Sequence, residues 1–254
     1  MPFTFSHPAI VLPLASKKLK LSATGLFVGS MTPDFEYFIR MKNVSRFSHT
    51  LPGLFWFDLP LALLLCFIYH EIVRNTLFDN LPEFLKERIA IYQKFQWTKY
   101  FNRNWIIVCL SALIGGASHV LWDAFTHESL FFVQRDPELS TLMKLGNINL
   151  AGYKFLQLAS SVVGLLVVII AIASLKKRTG NYRQVDYTYW MLILIIIVTV
   201  MFIRFVVGLS MYDHRRIIVS FISSVIIALI LTPLILTQQR VEKAKYSMEK
   251  GDEG

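Results

Sequence analysis

The chain has 254 residues, of which 54% are hydrophobic and 17% charged, and its formal net charge is +9. That is too little charge for a soluble domain of this length, and several runs approach the roughly 20 apolar residues that cross a hydrocarbon core. The Lys and Arg fall between apolar runs, as topology determinants and contacts for anionic lipids, and no basic stretch interleaved with aromatics suggests a nucleic-acid surface.

From the N-terminus, "MPFTFSHPAIVLPLASKKLK" lacks a basic leader region, and its apolar stretch is short and interrupted by Pro13. It is expected to be retained rather than cleaved as a signal peptide. Ser6-His7-Pro8 reads as a helix start, with Pro8 at the first helical position. Residues 21–31, "LSATGLFVGSM", are apolar but too short to span, which predicts a buried or half-crossing helix.

Five spans are then predicted, at residues 52–69, 105–125, 155–175, 190–209 and 217–236. Between the first two, residues 81–101 alternate apolar and charged positions at helical spacing, predicting an interfacial amphipathic helix. The fold class is therefore an all-α, polytopic membrane helical bundle: about five transmembrane helices, a short buried N-terminal helix and the interfacial one. A single domain over residues 1–238 and a polar tail over 239–254, expected to fray, complete the organisation. Cys66 and Cys109 lie inside apolar runs and read as packed thiols.

Alternating the sides of successive segments puts 14 Lys/Arg on the side of residues 70–104, and 11 on the side of the N-terminal region. The excess marks the first side as cytoplasmic. The expected location is the bacterial cytoplasmic membrane, with membrane lipids as partners.

The second span ends in "GGASHVLWDAFTHES". At about 100° per residue, steps of four drift by only about 40°, so His119, Asp123 and His127 share one stripe. Ser111, Gly115 and Ser118 beside it are small, which lets neighbouring helices approach closely. Ionisable groups in hydrocarbon must be paired or hydrated. Two readings stand for this helix alone: a divalent metal site, for which imidazole and carboxylate suit zinc, manganese or iron, or a polar seam of interhelical hydrogen bonds.

The topology also brings His7, Asp34 and His49 to the membrane face of this stripe, which the charge count assigns to the non-cytoplasmic side. Residues 7, 34, 49, 119, 123 and 127 supply enough donors for two ions, with a carboxylate bridging them. Each has a plainer reading: His7 as a helix-start residue, Asp34 as a cap after Pro33, His49 as part of a Pro52-Gly53 turn. Asp58, early in the first span, reads either as a partner for a ligating histidine or as an interfacial acid. Arg204, within the fourth span, reads either as snorkelling to the headgroups or as a clamp for a phosphate or Asp58. His70 is expected at the opposite interface, and "SMYDHRR" is expected to be a polar connecting turn.

The segments "MPFTFSHPAIVLPL", "VGSMTPDFEYFIR", "FSHTLPGLFWFDLPLALLL" and "SHVLWDAFTH" resemble the bacterial membrane family catalogued as domain of unknown function 4184, over most of the chain. Their order of His, Pro-Asp, Ser-His-Thr and His-x-x-x-Asp is more distantly similar to membrane-bound metal-dependent hydrolases and zinc-dependent phospholipase C. That similarity implies His7, Asp34, His49, His119 and Asp123 as metal ligands, with His127 as a further one. The phospholipase pattern continues with another His-x-x-x-Glu, which has no counterpart here.

Two functions follow as expectations. One is a metal-dependent hydrolase acting on a phosphoester or other ester at the bilayer surface. The other is a non-enzymatic membrane protein whose His/Asp cluster is an ion-binding step in transport or a structural clasp. No Gly-rich phosphate loop, nucleophile elbow or Cys-x-x-Cys is present, so nucleotide hydrolysis, serine hydrolase chemistry and dithiol redox chemistry lack sequence support.

Overall fold

The computed structural model describes residues 3–127, 131–145 and 148–251. In chain order the helices are α1 (Thr4–Ala15), α2 (Ala23–Met31), α3 (Phe35–Arg40), α4 (Leu51–Asp79), α5 (Glu83–Ile89), α6 (Trp97–Thr126), α7 (Phe131–Arg135) and α8 (Pro137–Ser140). A two-stranded antiparallel hairpin, β1 (Leu142–Leu145) and β2 (Ile148–Ala151), leads into α9 (Gly152–Ala173). The chain continues through α10 (Tyr187–Val206) and α11 (His214–Gly251). Helices α4, α6, α9, α10 and α11 as far as Gln239 are long and apolar enough to cross a membrane. All five predicted spans are thus matched, and the hairpin lies in a connection where no strand was expected.

The chain divides into two compact units. The first comprises Met1–Glu36, Ser45–Cys66 and Thr98–Leu175, and the second Tyr37–Val44, Phe67–Trp97 and Lys176–Gly254.

In the first unit, Pro8 occupies the start of an α-helical turn within α1, as its fixed φ and missing N–H favour. Helix α2 is capped by Ser22, whose hydroxyl accepts from the Gly25 amide, and it buries Gly25, Leu26, Gly29 and Ser30. Its Gly25-x-x-x-Gly29 face meets Ser111, Ala112 and Gly115 of α6. A Cβ on Gly29 would lie 2.3 Å from the Ala112 carbonyl oxygen, and one on Gly115 would lie 2.4 Å from that of Leu26. The two backbones are therefore in direct contact, which small residues at four-residue spacing permit in membrane helices.

In the second unit, Tyr189, Ile193 and Ala228 form a core between α10 and α11, with Leu77 of α4 packed against it. Helix α4 runs ten residues beyond the predicted end of the first span, and two polar residues of that extension, Arg74 and His70, are partnered within the unit. Arg74 donates to the carbonyls of Phe95 (2.8 Å) and Gln93 (3.1 Å), and His70 stacks on Trp97 with ring centroids 4.5 Å apart. His70 is thus buried within this unit.

The helix predicted over residues 81–101 is not continuous. It is broken into α5, a 3-10 segment at Ala90–Lys94 and the first turns of α6. The backbone of α11 extends to Gly251.

Candidate metal centre

Four donors converge in the first unit. Asp34, His49, His119 and Asp123 each offer one ligand atom, and these atoms all lie within 4.8 Å of one another. His49 Nε2 is 3.5 Å from Asp34 Oδ1 and 3.4 Å from Asp123 Oδ2, and His119 Nε2 is 3.5 Å from each of the same oxygens. The two Nε2 atoms are 3.3 Å apart. An ion held by tetrahedral donors at about 2.0–2.2 Å would set those donors roughly 3.3–3.6 Å apart. Five measured edges fall in that range.

The protonation of the two imidazoles follows from their outer nitrogens. His119 Nδ1 lies 2.7 Å from the Ser30 carbonyl, which can only accept, so Nδ1 carries the proton. The contact exists because the Gly29–Gly115 approach brings the end of α2 onto α6. His49 Nδ1 lies 3.0 Å from Ser48 Oγ, whose own hydrogen goes to Glu36 Oε2 at 3.0 Å. Ser48 Oγ therefore accepts from His49, and in the neutral rings both Nε2 lone pairs point into the cluster. Two lone pairs and two carboxylates facing one another at these distances call for a cation or for protons between them.

The segment carrying His49 is built around Glu36, which is 1% exposed. Its Oε1 accepts from the Arg46 amide, and its Oε2 from the amides of Phe47 and Ser48 and the hydroxyl of Ser45, at 2.9–3.0 Å. Burial alone would raise this carboxyl, but the converging amides hold it down to about 2. His49 has φ of 62°, the left-handed region that non-glycine residues rarely adopt. The Glu36 hydrogen bonds and the Thr50 cap, which accepts from Gly53 at 3.0 Å, hold the segment in that conformation.

His7 stands beside the four rather than among them. Its ring stacks on His119, with centroids 3.7 Å apart, and its Nε2 is 3.9 Å from Asp123 Oδ1, the carboxylate oxygen not used by His49 and His119. It is 1% exposed, and neither ring nitrogen has a hydrogen-bond partner among the described residues. Burial and the adjoining His119 push it down to about 3, so it is neutral.

Asp34 lies in a single 3-10 turn, Thr32–Asp34, and its Oδ2 accepts from the Thr4 hydroxyl at 2.5 Å. Burial would raise its carboxyl, but the facing imidazoles of His119 and His49 reverse the sign and hold it below the usual range. The same pairing raises His49 against the opposing effect of its burial.

Helix α6 persists through Thr126, as the shared stripe requires, and His127 follows directly. Its Nδ1 is 3.7 Å from Asp123 Oδ2 and 3.1 Å from the Asp123 carbonyl. Its burial lowers its pKa. Asp58 is buried, and neither carboxylate oxygen has a hydrogen-bond partner among the described residues, although His49 and His119 lie within electrostatic range.

In the second unit, Arg204 donates to the Met41 carbonyl at 3.1 Å and lies 3.4 Å from Ser220 Oγ. Asp213 accepts from the Arg216 amide and guanidinium, so "SMYDHRR" is the polar turn expected.

Glu36, Ser48, Ser30 and Thr4 were missed as site residues. The quoted "PDFE" and "FSHT" contain two of them, but nothing in their spacing shows that residue 36 would fold back onto residues 45–48.

The family model described as "domain of unknown function (DUF4184)" matches residues 1–234. No curated protein and no solved structure matches the chain.

Proposed function

Because the chain belongs to the DUF4184 family, whose description assigns no activity, we propose a function from the His/Asp cluster and the order of its motifs: a membrane-embedded, metal-dependent hydrolase acting on a phosphoester or other ester at the bilayer surface. The observation that carries this reading is the tautomer-fixed pair His49 and His119. Both turn Nε2 toward Asp34 and Asp123, with donor separations of 3.3–3.5 Å. Such donors suit Zn, with Mn or Fe as mixed N/O alternatives.

A divalent ion there would supply a water acidic enough to ionise near neutral pH and a positive charge for the ester's developing oxyanion. The protein's own residues do the rest. Asp34 and Asp123 balance the ion's charge, while Ser30, Ser48 and Glu36 fix the ring orientations. His7, whose Nε2 is turned to the other oxygen of Asp123, and His127 would be the donors for a second ion. Arg204 and Asp58 stay outside this donor set.

Metal content of the purified protein tests the reading. The expected result is at least one equivalent of Zn, Mn or Fe in the wild type, lost in His119→Ala and Asp123→Ala, with ester hydrolysis lost in parallel. A wild type purified without chelators that carries none of these metals would falsify it.

A structural ion clasp is the second reading, favoured by the depth of the cluster: His7, Asp34, His119 and Asp123 are at most 1% exposed. Metal retention without turnover on any phosphoester or carboxylic ester presented in vesicles would select it.

A further inference from the structure

Asp58 is a buried acid of the first unit that the donor set leaves unexplained. It stands within the spanning helix α4, is 3% exposed, and neither carboxylate oxygen has a hydrogen-bond partner among the described residues. A carboxylate inside a span is costly unless it is paired or hydrated, and such a group marks a functional site by default. The ionisable groups within electrostatic range of it include His49, His119, Asp34 and Glu36, all of them donors of the cluster or its scaffold. The apolar groove of about 370 Å³ that reaches His7 is walled by Ile10, Trp122, Val163 and Val167, and Asp58 does not border it.

The backbone inclines Asp58 toward the cluster. His49, just before α4, meets His119 with Nε2 atoms 3.3 Å apart, and five residues later Leu54 packs on Gly116, whose Cβ would lie 2.9 Å from Leu54 Cδ2. As α4 leaves the cluster it therefore passes α6 in the opposite direction. Asp58 follows Leu54 by one widened turn, in which the Leu59 amide bonds to the Leu54 carbonyl, and this turn packs against Thr32–Asp34. Such π-turns recur at functional sites. Helical side chains lean toward the N-terminus of their own helix, so on antiparallel neighbours Asp58 and His119 lean toward each other.

The cluster's own protons are already placed. His119 Nδ1–H goes to the Ser30 carbonyl and His49 Nδ1–H to Ser48 Oγ, while the Asp34 and Glu36 carboxylates are acceptors. The donor that fits a carboxylate so placed is the water that a divalent ion acidifies.

We propose that Asp58 accepts the hydrogen bond of the water at the metal centre and is the base that takes its proton. In that step one O–H bond of the water breaks and its proton passes to an Asp58 oxygen, while the water oxygen bonds to the phosphorus or acyl carbon of the ester. The bond from that atom to the alcohol oxygen breaks, and the alcohol leaves with the proton returned by Asp58. Water is consumed, acid and alcohol are released, and the carboxylate is restored. The proton transfer rests on the hydrolase reading, but the hydrogen bond does not.

Both parts are tested on the full-length protein and on Asp58→Asn, which keeps the shape and removes the base. Asp58 is not one of the four close donors, so Asp58→Asn should bind Zn at the wild-type stoichiometry. Infrared difference spectra between Zn-loaded and chelated protein should contain a carboxyl band in the wild type that is missing in Asp58→Asn. With p-nitrophenyl acetate and bis-p-nitrophenyl phosphate as probes, kcat should fall about 10²–10⁴-fold with KM little changed. Asp58→Glu, which keeps a base on the same turn, should recover part of that loss.

Zn lost from Asp58→Asn overturns the inference, because Asp58 would then support the cluster. Difference spectra identical in the carboxyl region overturn it as well, because Asp58 would not sense the ion. A kcat within about tenfold of wild type removes the base role. If the band is present but the wild type cleaves neither probe, the hydrolase reading fails and the hydrogen bond to the water stands.

Discussion

At the scale of single residues, the cluster is governed by where protons are held. His119 and His49 each spend an Nδ1–H on an acceptor, Ser30 O and Ser48 Oγ. Their Nε2 atoms are left to a cation or to additional protons. In the metal-free protein the two carboxylates raise His49 above its ordinary value of 6.5. Metal must displace that proton, so Zn affinity is expected to fall as pH is lowered, beginning above pH 6.5. Calorimetric titration at several pH values, with proton release measured by changing the buffer, checks this.

Glu36 gives a second prediction at this scale. Its carboxyl is held down from 4.5 to about 2, so its stabilisation is complete above about pH 4.5 and is lost as pH falls through about 2. Glu36→Gln would oppose an amide NH2 to one of the backbone N–H groups that the carboxylate now accepts. A loss of about 2–3 kcal/mol is expected from a charge-assisted hydrogen bond so replaced. Melting of the detergent-solubilised variant should show a deficit at pH 6 that narrows toward pH 2, together with weaker Zn binding through the released His49.

His7 separates from the four donors in a third prediction. Its Nε2 is 3.9 Å from Asp123 Oδ1 and it takes no part in the close set. His7→Ala should retain the first equivalent of metal, which His119→Ala loses, and should lose the second. Stoichiometry by elemental analysis distinguishes the two variants.

At the scale of elements, the contact of α2 with α6 decides whether the site exists. Ser30 reaches His119 because Gly29 and Gly115 bring the two backbones together. Gly115→Ala inserts a methyl group 2.4 Å from the Leu26 carbonyl oxygen. Overpacking of this kind costs about 1–3 kcal/mol, and the helices must separate to relieve it. The expected result is a lower melting temperature and metal affinity reduced at least about tenfold, although residue 115 touches no donor. Unchanged affinity would mean that the Ser30–His119 contact does not orient the ring.

The amphipathic segment shows the limit of periodicity. Residues 81–101 carry a helical pattern, but the α-helix ends at Ile89, and the Gln93 and Phe95 carbonyls beyond it accept from Arg74, some twenty residues upstream. A long-range hydrogen bond of this kind leaves no mark in local sequence.

At the scale of the whole molecule, the proposed donors come from α1, the turn after α2, the loop before α4 and the end of α6. The ion held by the close set would tie together segments separated by as many as 89 residues, from Asp34 to Asp123. A ligand present at about 1,000 times its Kd stabilises the form that binds it by roughly 4 kcal/mol. Removal of metal by a chelator is expected to lower the melting temperature by several degrees, and Zn is expected to restore it. Asp34→Asn with Asp123→Asn should melt at the same temperature with and without chelator.

The sequence by itself determined the helical class, the number of spanning helices and the His119–Asp123 stripe. Chain-wide apolar runs and a fixed helical repeat are local properties, and lipid penalises every alternative that leaves backbone groups unpaired. It also supplied the identities of the four converging donors, because Asp34, His49, His119 and Asp123 are ionisable groups beside or within apolar runs and need partners. The tertiary structure alone decided that these four form the close set while His7 stacks beside them, that Glu36 and Ser48 set the His49 tautomer, and that an apolar groove reaches His7. Each of those outcomes depends on distances between segments 12 to 160 residues apart, which are fixed by backbone contact at two glycines and a folded-back carboxylate rather than by any local pattern.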